Sequence, residues 1–280
     1  MTAIAVVVLG AAIVGLAANV FLHPRLQRAN AKHGVQDAKS DSWAGSVLGP
    51  SLTLLALFLA FVIADASGSF SEAKSAAQSE STVVERVYRT AGFLEEPYRR
   101  RLQRSALCYA RAVAGPEWKA MADGGQSSIP VEWTGTGHNG LRRTFREMGA
   151  DHVLFGKLTV ADQARADSRR TRLTKASPTI PGSLIVFLVA VIAAVVLFHA
   201  VTSPPRSVLH VLATIFAVGT MLAALGVVYT LDRPFSGAIE VKPTDMRNTA
   251  QTLGADFVGH YGNTRVRCDR HGKPIGSRAS

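Results

Sequence analysis

The sequence predicts an all-α membrane protein: four transmembrane helices with a helical cytoplasmic insert between the second and third. Three observations carry this. Four apolar runs each lack Asp, Glu, Lys and Arg and approach the ~20 residues that a spanning helix needs. Charged residues are only 18% of the 280, where about a quarter is usual for a soluble domain. Apolar residues between the second and third runs recur at helix spacing. The formal charge is +11, yet 48% of the chain is hydrophobic, which speaks against both a nucleic-acid binder and wholesale disorder. Cys108 and Cys268 are too few for a disulfide framework.

The first run is Ala3–Leu22. Only Met1 and Thr2 precede it, without the positive charge of a secretory signal, so it reads as a retained span. The second run is Val47–Ala64, the third Ile180–Val201 and the fourth Val208–Leu231. These divide the chain into a first transmembrane pair (1–66), an insert (67–179), a second pair (180–232) and a tail (233–280).

Orientation follows from Lys and Arg near the span ends. With both termini inside, the inner side carries Lys74, Arg165, Arg169, Arg170, Arg172, Lys175, Arg233, Lys242 and Arg247. The outer side carries the shorter set Arg25, Arg28, Lys32, Lys39 and Arg206. The bias places the termini and the insert in the cytoplasm of a bacterial-type cell membrane. No Asn-x-Ser/Thr acceptor argues otherwise.

Within the insert, Val83, Val84, Val87, Tyr88 and Ala91 mark a first helix. Tyr98, Leu102, Tyr109 and Val113 mark a second, with Arg100, Arg104 and Arg111 away from that stripe. Pro97 suits its first turn, and Glu95 and Glu96 sit at the favourable end of its dipole. Gly115-Pro116 marks a break. Gly124–Gly140 reads as a loop, and a further helix is expected from Leu141 toward Lys175, with Leu141, Phe145 and Met148 on one side. Pro178 and Pro181 delimit it. Beyond Gly254 a loosely ordered tail is expected.

Catalytic and cofactor motifs are not found. There is no phosphate-binding loop ending in Lys-Ser/Thr, no zinc-ligand spacing and no nucleophile elbow. No cofactor, metal or enzymatic activity is therefore expected. Gly135–Gly140 reads as a flexible loop. His199 and His210, across the Ser203–Arg206 turn, have two readings: interfacial side chains, or a pH-sensitive or metal-binding pair. The spans hold almost no ionisable groups; Asp65 and Asp232 stand at their ends. That argues against an ion-coupled pump, but a passive anion conduit can work with hydroxyls and apolar constrictions. Ser51, Thr53, Phe58 and Phe61 are the pore-lining candidates; for the two phenylalanines the other reading is lipid contact or helix packing. The basic groups Arg99–Arg101 with Arg104, and Arg169, Arg170 and Arg172, either draw anions toward a vestibule or anchor the chain at anionic headgroups. The Arg169 group, beside a span, reads as the anchor.

Several residues in order resemble the bestrophin-like membrane protein family over roughly residues 1 to 245. They are Glu72-Ala73; Tyr88, Tyr109, Glu117-Trp118 and Gly124; Arg170-x-Arg172-Leu173 and then Pro181; and Leu231-Asp232-Arg233-Pro234-Phe235-Ser236-Gly237. Lys119 stands where the family often has Pro, and Gly182-Ser183 where it often has Trp. The kinship implied is to bestrophins, pentameric anion channels whose second span lines the pore. Fold alone does not give function.

Structural roles are expected for Glu72, Glu117, Trp118, Arg172, Asp232, Pro234, Phe235 and Gly237. An aspartate at a helix C-terminus is unfavourable to the dipole, so Asp232 should accept hydrogen bonds from an insert arginine or from nearby backbone N–H groups. Pro234 should stop the helix, Gly237 should allow a tight turn, and Glu72 should pair with a basic group of the insert. Two functional hypotheses follow. One is a passive homo-oligomeric channel for chloride or another small anion, embedded in the lipid bilayer. The other is a non-conducting membrane protein whose helical insert docks a partner. Nucleic acid is not an expected partner.

Overall fold

The computed structural model describes residues 38–137, 140–202 and 208–275. The first apolar run, His138-Asn139, the Ser203–Arg206 turn and the side chains of His199 and His210 lie outside the described residues. Among the described residues the elements are helical, apart from an isolated bridge between Cys268 and Pro274. In chain order they are α1 (Ala38–Ala91), α2 (Tyr98–Ala112), a π-type turn (Val113–Glu117), α3 (Trp118–Ala122) and α4 (Ile129–Thr134). Then come α5 (Leu141–Met148), α6 (Phe155–Thr174), α7 (Gly182–Thr202), α8 (Val208–Leu231) and α9 (Thr244–Tyr261).

Two compact units emerge. The first holds the described residues up to Gly68 together with Thr179–Asp232. Leu55, Leu59, Val62 and Ala66, spaced by three and four, put one stripe of α1 into its core. Leu188, Ile192 and Val196 of α7 and Val218, Leu225 and Val228 of α8 complete that core. From Gly49, α1 is long and apolar enough to cross a membrane, while α7 and α8 contain shorter apolar stretches, Gly182–Phe198 and Ile215–Leu231.

The second unit holds Ser69–Pro178 and the described residues from Arg233 onward. The sequence reading separated the second span from the first insert helix, whereas α1 runs through both without a break. Its segment from Asp65 to Thr82 contains no proline, so no missing N–H forces the helix to stop. Ala73, Ala77, Val83, Val84, Val87, Tyr88 and Ala91 bury its later face.

Three further expectations are corrected. The Gly124–Gly140 segment contains α4, opened by Pro130 in its first turn, and it buries Trp133 completely. The helix expected from Leu141 to Lys175 is two, α5 and α6, because Gly149 takes a left-handed φ of 84° and ends the first. The tail is not loose beyond Gly254: α9 continues to Tyr261, and Met246, Leu253 and Phe257 are buried on α2 and its neighbours. The apolar spacing of those three side chains gives α9 a packing face that the polar residues between them mask in sequence.

After α9 a small hairpin closes on α2. Cys268 is disulfide-bonded to Cys108, a tie between residues 160 apart. Ile275 N–H donates to the Arg267 carbonyl, and Trp133 Nε1 donates to the Gly272 carbonyl at 2.7 Å. Gly272 has φ 74°, and a Cβ there would stand 2.4 Å from the Ala112 nitrogen. Gly272→Ala is therefore expected to undock the hairpin. The cost should be about 1–3 kcal/mol from overpacking, with left-handed backbone strain added. Limited proteolysis of the full chain should show faster cleavage near residue 272; unchanged cleavage and melting would refute this close packing.

Candidate functional site: the uncovered face of α1 and a buried ionic network

In the first unit, one arc of α1 packs and another does not. Leu54, Leu57, Phe58 and Phe61 are exposed, the two phenylalanines at 42% and 65%. At 100° per residue these four share one face, about a third of a turn around the helix from Leu55, Leu59, Val62 and Ala66. Thr53 is exposed at the edge of this face, and its hydroxyl donates to the Gly49 carbonyl at 3.1 Å. Ser51 is half-buried, on the packed side of Phe58. The four pore-lining candidates are thus split: Thr53, Phe58 and Phe61 lie on uncovered surface, and Ser51 at its margin. Phe58 also meets Phe187 of α7 edge to face, with ring centroids 6.3 Å apart. The face is apolar save for one hydroxyl already engaged within the helix.

At the end of α8, Asp232 is buried and accepts from the Thr179 N–H at 2.8 Å and the Ile180 N–H at 3.0 Å. The Thr179 hydroxyl donates to the same oxygen at 3.1 Å. Backbone donors that lead into α7, and the Thr179 hydroxyl, thus serve the carboxylate that the helix dipole disfavours.

In the second unit the remaining family-type residues converge on one cluster. Arg172, fully buried on α6, donates from Nε to Glu80 at 2.6 Å and from Nη2 to Glu80 at 3.1 Å and Glu117 at 2.6 Å. Arg169 holds the other side of Glu117 with a second fork, 3.1 and 2.6 Å. The Tyr109 hydroxyl donates to Glu80, and the Arg165 guanidinium lies 4.8 Å over the Tyr109 ring. Arg165 is itself paired with Asp162 at 2.6 Å. Burial pulls the Arg172 guanidinium downward, but the Glu80 and Glu117 carboxylates outweigh it and leave its pKa raised. Burial and the Glu80 charge push the Tyr109 hydroxyl upward.

Trp118 joins the cluster to the segment after α8. Its ring lies beneath Arg172 at 5.4 Å and edge-on to Phe235 at 5.3 Å. Its Nε1 donates to the Val241 carbonyl at 3.0 Å. The Val241 N–H donates to the Pro234 carbonyl at 2.7 Å, and Gly237 between them has φ 111°. So Glu117, Trp118, Arg172, Pro234, Phe235 and Gly237, scattered in sequence, form one folded unit. Glu72 stands apart, paired with Lys175 at 2.8 Å.

This cluster revises the reading of the basic group before the third span. Arg170 alone is an exposed side chain; Arg169 and Arg172 point inward and are spent on carboxylates. The sequence reading overlooked Glu80, Asp162 and Met121, all on the buried side of their helices. Glu80 lies four residues before Val84, on the stripe that buries Val84 and Val87, and that register was the available signal.

A model of the bestrophin-like domain matches residues 5–246. Among solved structures, a point-mutated bacterial bestrophin homologue from Klebsiella pneumoniae is 14% identical with a TM-score of 0.63. The alignment covers 90% of this chain and 99% of that one. A second mutant of the Klebsiella homologue is 13% identical with a TM-score of 0.60, over 91% and 99% of the two chains. A structure described as a membrane protein mutant is 14% identical with a TM-score of 0.60, over 90% and 98%. No curated protein matches. At these identities the structures speak for the fold, and the domain model speaks for the family. A helix with a long apolar stretch, an insert held by the Glu117–Trp118–Arg172 cluster and a match over most of the chain lead to one conclusion: this membrane protein belongs to the bestrophin-like family.

Proposed function

We propose that this protein is a passive anion channel, a homo-oligomer in which copies of α1 surround a central pore and chloride or a similar small anion moves down its gradient. The observation that carries this reading is the uncovered arc of Leu54, Leu57, Phe58 and Phe61 beside the well-packed arc of Leu55, Leu59, Val62 and Ala66. A ring of such arcs makes an apolar neck where an anion must shed water, which is how apolar constrictions gate and select. The family supports the reading, because the solved relatives are described as bestrophin homologues. In this arrangement Ala3–Leu22, the apolar part of α1, α7 and α8 are the four spans. Both termini and the insert are cytoplasmic in the cell membrane, and no residue does covalent chemistry.

The test is halide flux into liposomes that hold the purified protein, with Phe58→Ala as comparison. Wild-type protein should pass halide, and Phe58→Ala should change rate or halide selectivity severalfold. No flux from protein shown to be folded and inserted would overturn the channel reading and favour the docking role of the insert. Equal flux from both forms would remove α1 from the pore wall.

A further inference from the structure

The second unit carries a cavity that the ionic network does not use, and it gathers Arg100, Arg101 and Arg104, which the sequence offered as a vestibule or a headgroup anchor, into one lining. It has a volume of about 260 Å³ and lies between α2, α5 and the hairpin after α9. Arg100, Arg101, Arg104, Arg143, Arg265 and Arg267 line it, with Glu147 as the acidic member of the lining. Glu147 is already engaged, by Arg143 at 2.8 Å and by Arg101. Arg100 has a long contact of 3.9 Å to Glu96. Among the described residues, Arg104, Arg265 and Arg267 form no ion pair.

Arg104 is the telling side chain. The residue is 9% exposed, and its buried Nε has no hydrogen-bond partner among the described residues. A solvated basic surface leaves its guanidiniums in water; here the Nε of one is carried inside without a partner. Burying an ionised donor unpaired is costly, and folded proteins avoid it unless something meets it. Burial, and then the neighbouring charges of Arg267, Arg100 and Arg101, pull its pKa down to about 10. The site is thus short of negative charge.

We propose that this arginine pocket binds a compact, multiply charged phosphate-bearing anion. Guanidinium forks match the oxygens of phosphate in pairs, a geometry that a spherical halide cannot use. Several arginines converging from two helices and a hairpin favour a dianion or higher over a monoanion, since each added charge meets a cation otherwise repelled by its neighbours. The volume falls just below the roughly 300–1,000 Å³ typical of sites for drug-sized ligands, which suits a diphosphate or a phosphate monoester head. The residues of the site all belong to the second unit.

Inorganic pyrophosphate is the soluble probe, titrated calorimetrically into the full chain in detergent against sodium chloride of equal ionic strength. Vesicles containing phosphatidic acid, compared with phosphatidylcholine alone, test a lipid headgroup as the source of the same chemistry. Either pyrophosphate or phosphatidic acid should bind, and which one does identifies the source. Arg104→Met should weaken that binding by about tenfold or more, the equivalent of one charge-assisted hydrogen bond, while melting at the same temperature or above. Arg267→Gln, an exposed change that leaves the core alone, should also weaken it, and Arg170→Gln on exposed α6 surface should not. Binding of neither probe, or equal binding by wild type, Arg104→Met and Arg267→Gln, would overturn the proposal.

Discussion

Arg172→Met is expected to lower the stability of the second unit by about 3–5 kcal/mol, the usual cost of breaking a buried ion pair from one side. The reason lies in what remains. Glu80 and Glu117 are fully buried, and removal of Arg172 leaves Glu80 with the Tyr109 hydroxyl and Glu117 with Arg169. Two carboxylates then share too few donors. The double change Arg172→Met, Glu80→Gln removes one charge of each sign, leaves Glu117 paired with Arg169, and should recover much of the loss, because a neutral replacement of a buried ionic group is often tolerated. Equilibrium unfolding of the full chain in detergent measures both. A loss no larger than that of Arg170→Met, which removes an 80% exposed side chain paired at 3.7 Å, would refute the network's role.

The second large effect concerns the Cys108–Cys268 bond. It joins residues 160 apart, and in the chain-entropy description closing so long a loop is worth about 5 kcal/mol. Reduction should lower the melting temperature of the full chain. Cys268→Ala should melt like the reduced wild type and ignore reductant. Equal melting of oxidised, reduced and Cys268→Ala protein would show that the burial of Met246, Leu253 and Phe257 alone holds the C-terminal segment. The bond also bears on sidedness, because disulfides persist in oxidising compartments and are rare in cytosol. In the cytoplasmic arrangement proposed above, the two sulfurs should stand as thiols in the living cell; labelling them in intact cells with and without prior oxidation reads out the side directly.

What could be read from the sequence follows from physical range. Apolar runs and helix periodicity depend on nearest neighbours along one helix, so the stripe of Val83, Val84 and Val87 was visible without any partner. The order of Glu117-Trp118, Arg172 and the Pro234–Gly237 turn was visible as a resemblance, but that they pack on each other was not. Contact between residues separated by more than a hundred positions, such as Trp118 with the Val241 carbonyl, leaves no local pattern. For the same reason Arg169 read as a membrane anchor, when its partner Glu117 lies 52 residues away. The tail misled for a different cause: α9 mixes its buried Met246, Leu253 and Phe257 with enough polar residues to look unstructured. The missed split at Gly149 is a matter of one backbone angle, which only glycine makes cheap.

The clasp at Asp232 has a consequence for how the chain is made. Its acceptor oxygen at the end of α8 finds its donors, Thr179 and Ile180, just before α7 begins. A ribosome delivers the first of those donors 53 residues before the aspartate. Until the aspartate arrives, the N–H groups that precede α7 have no carboxylate to meet. When it does, the open ends of two successive apolar helices are joined, and a helical hairpin is completed. In the four-span arrangement proposed above, membrane integration of this part of the chain is a two-step event, in which the second helix to be synthesised locks the entry of the first.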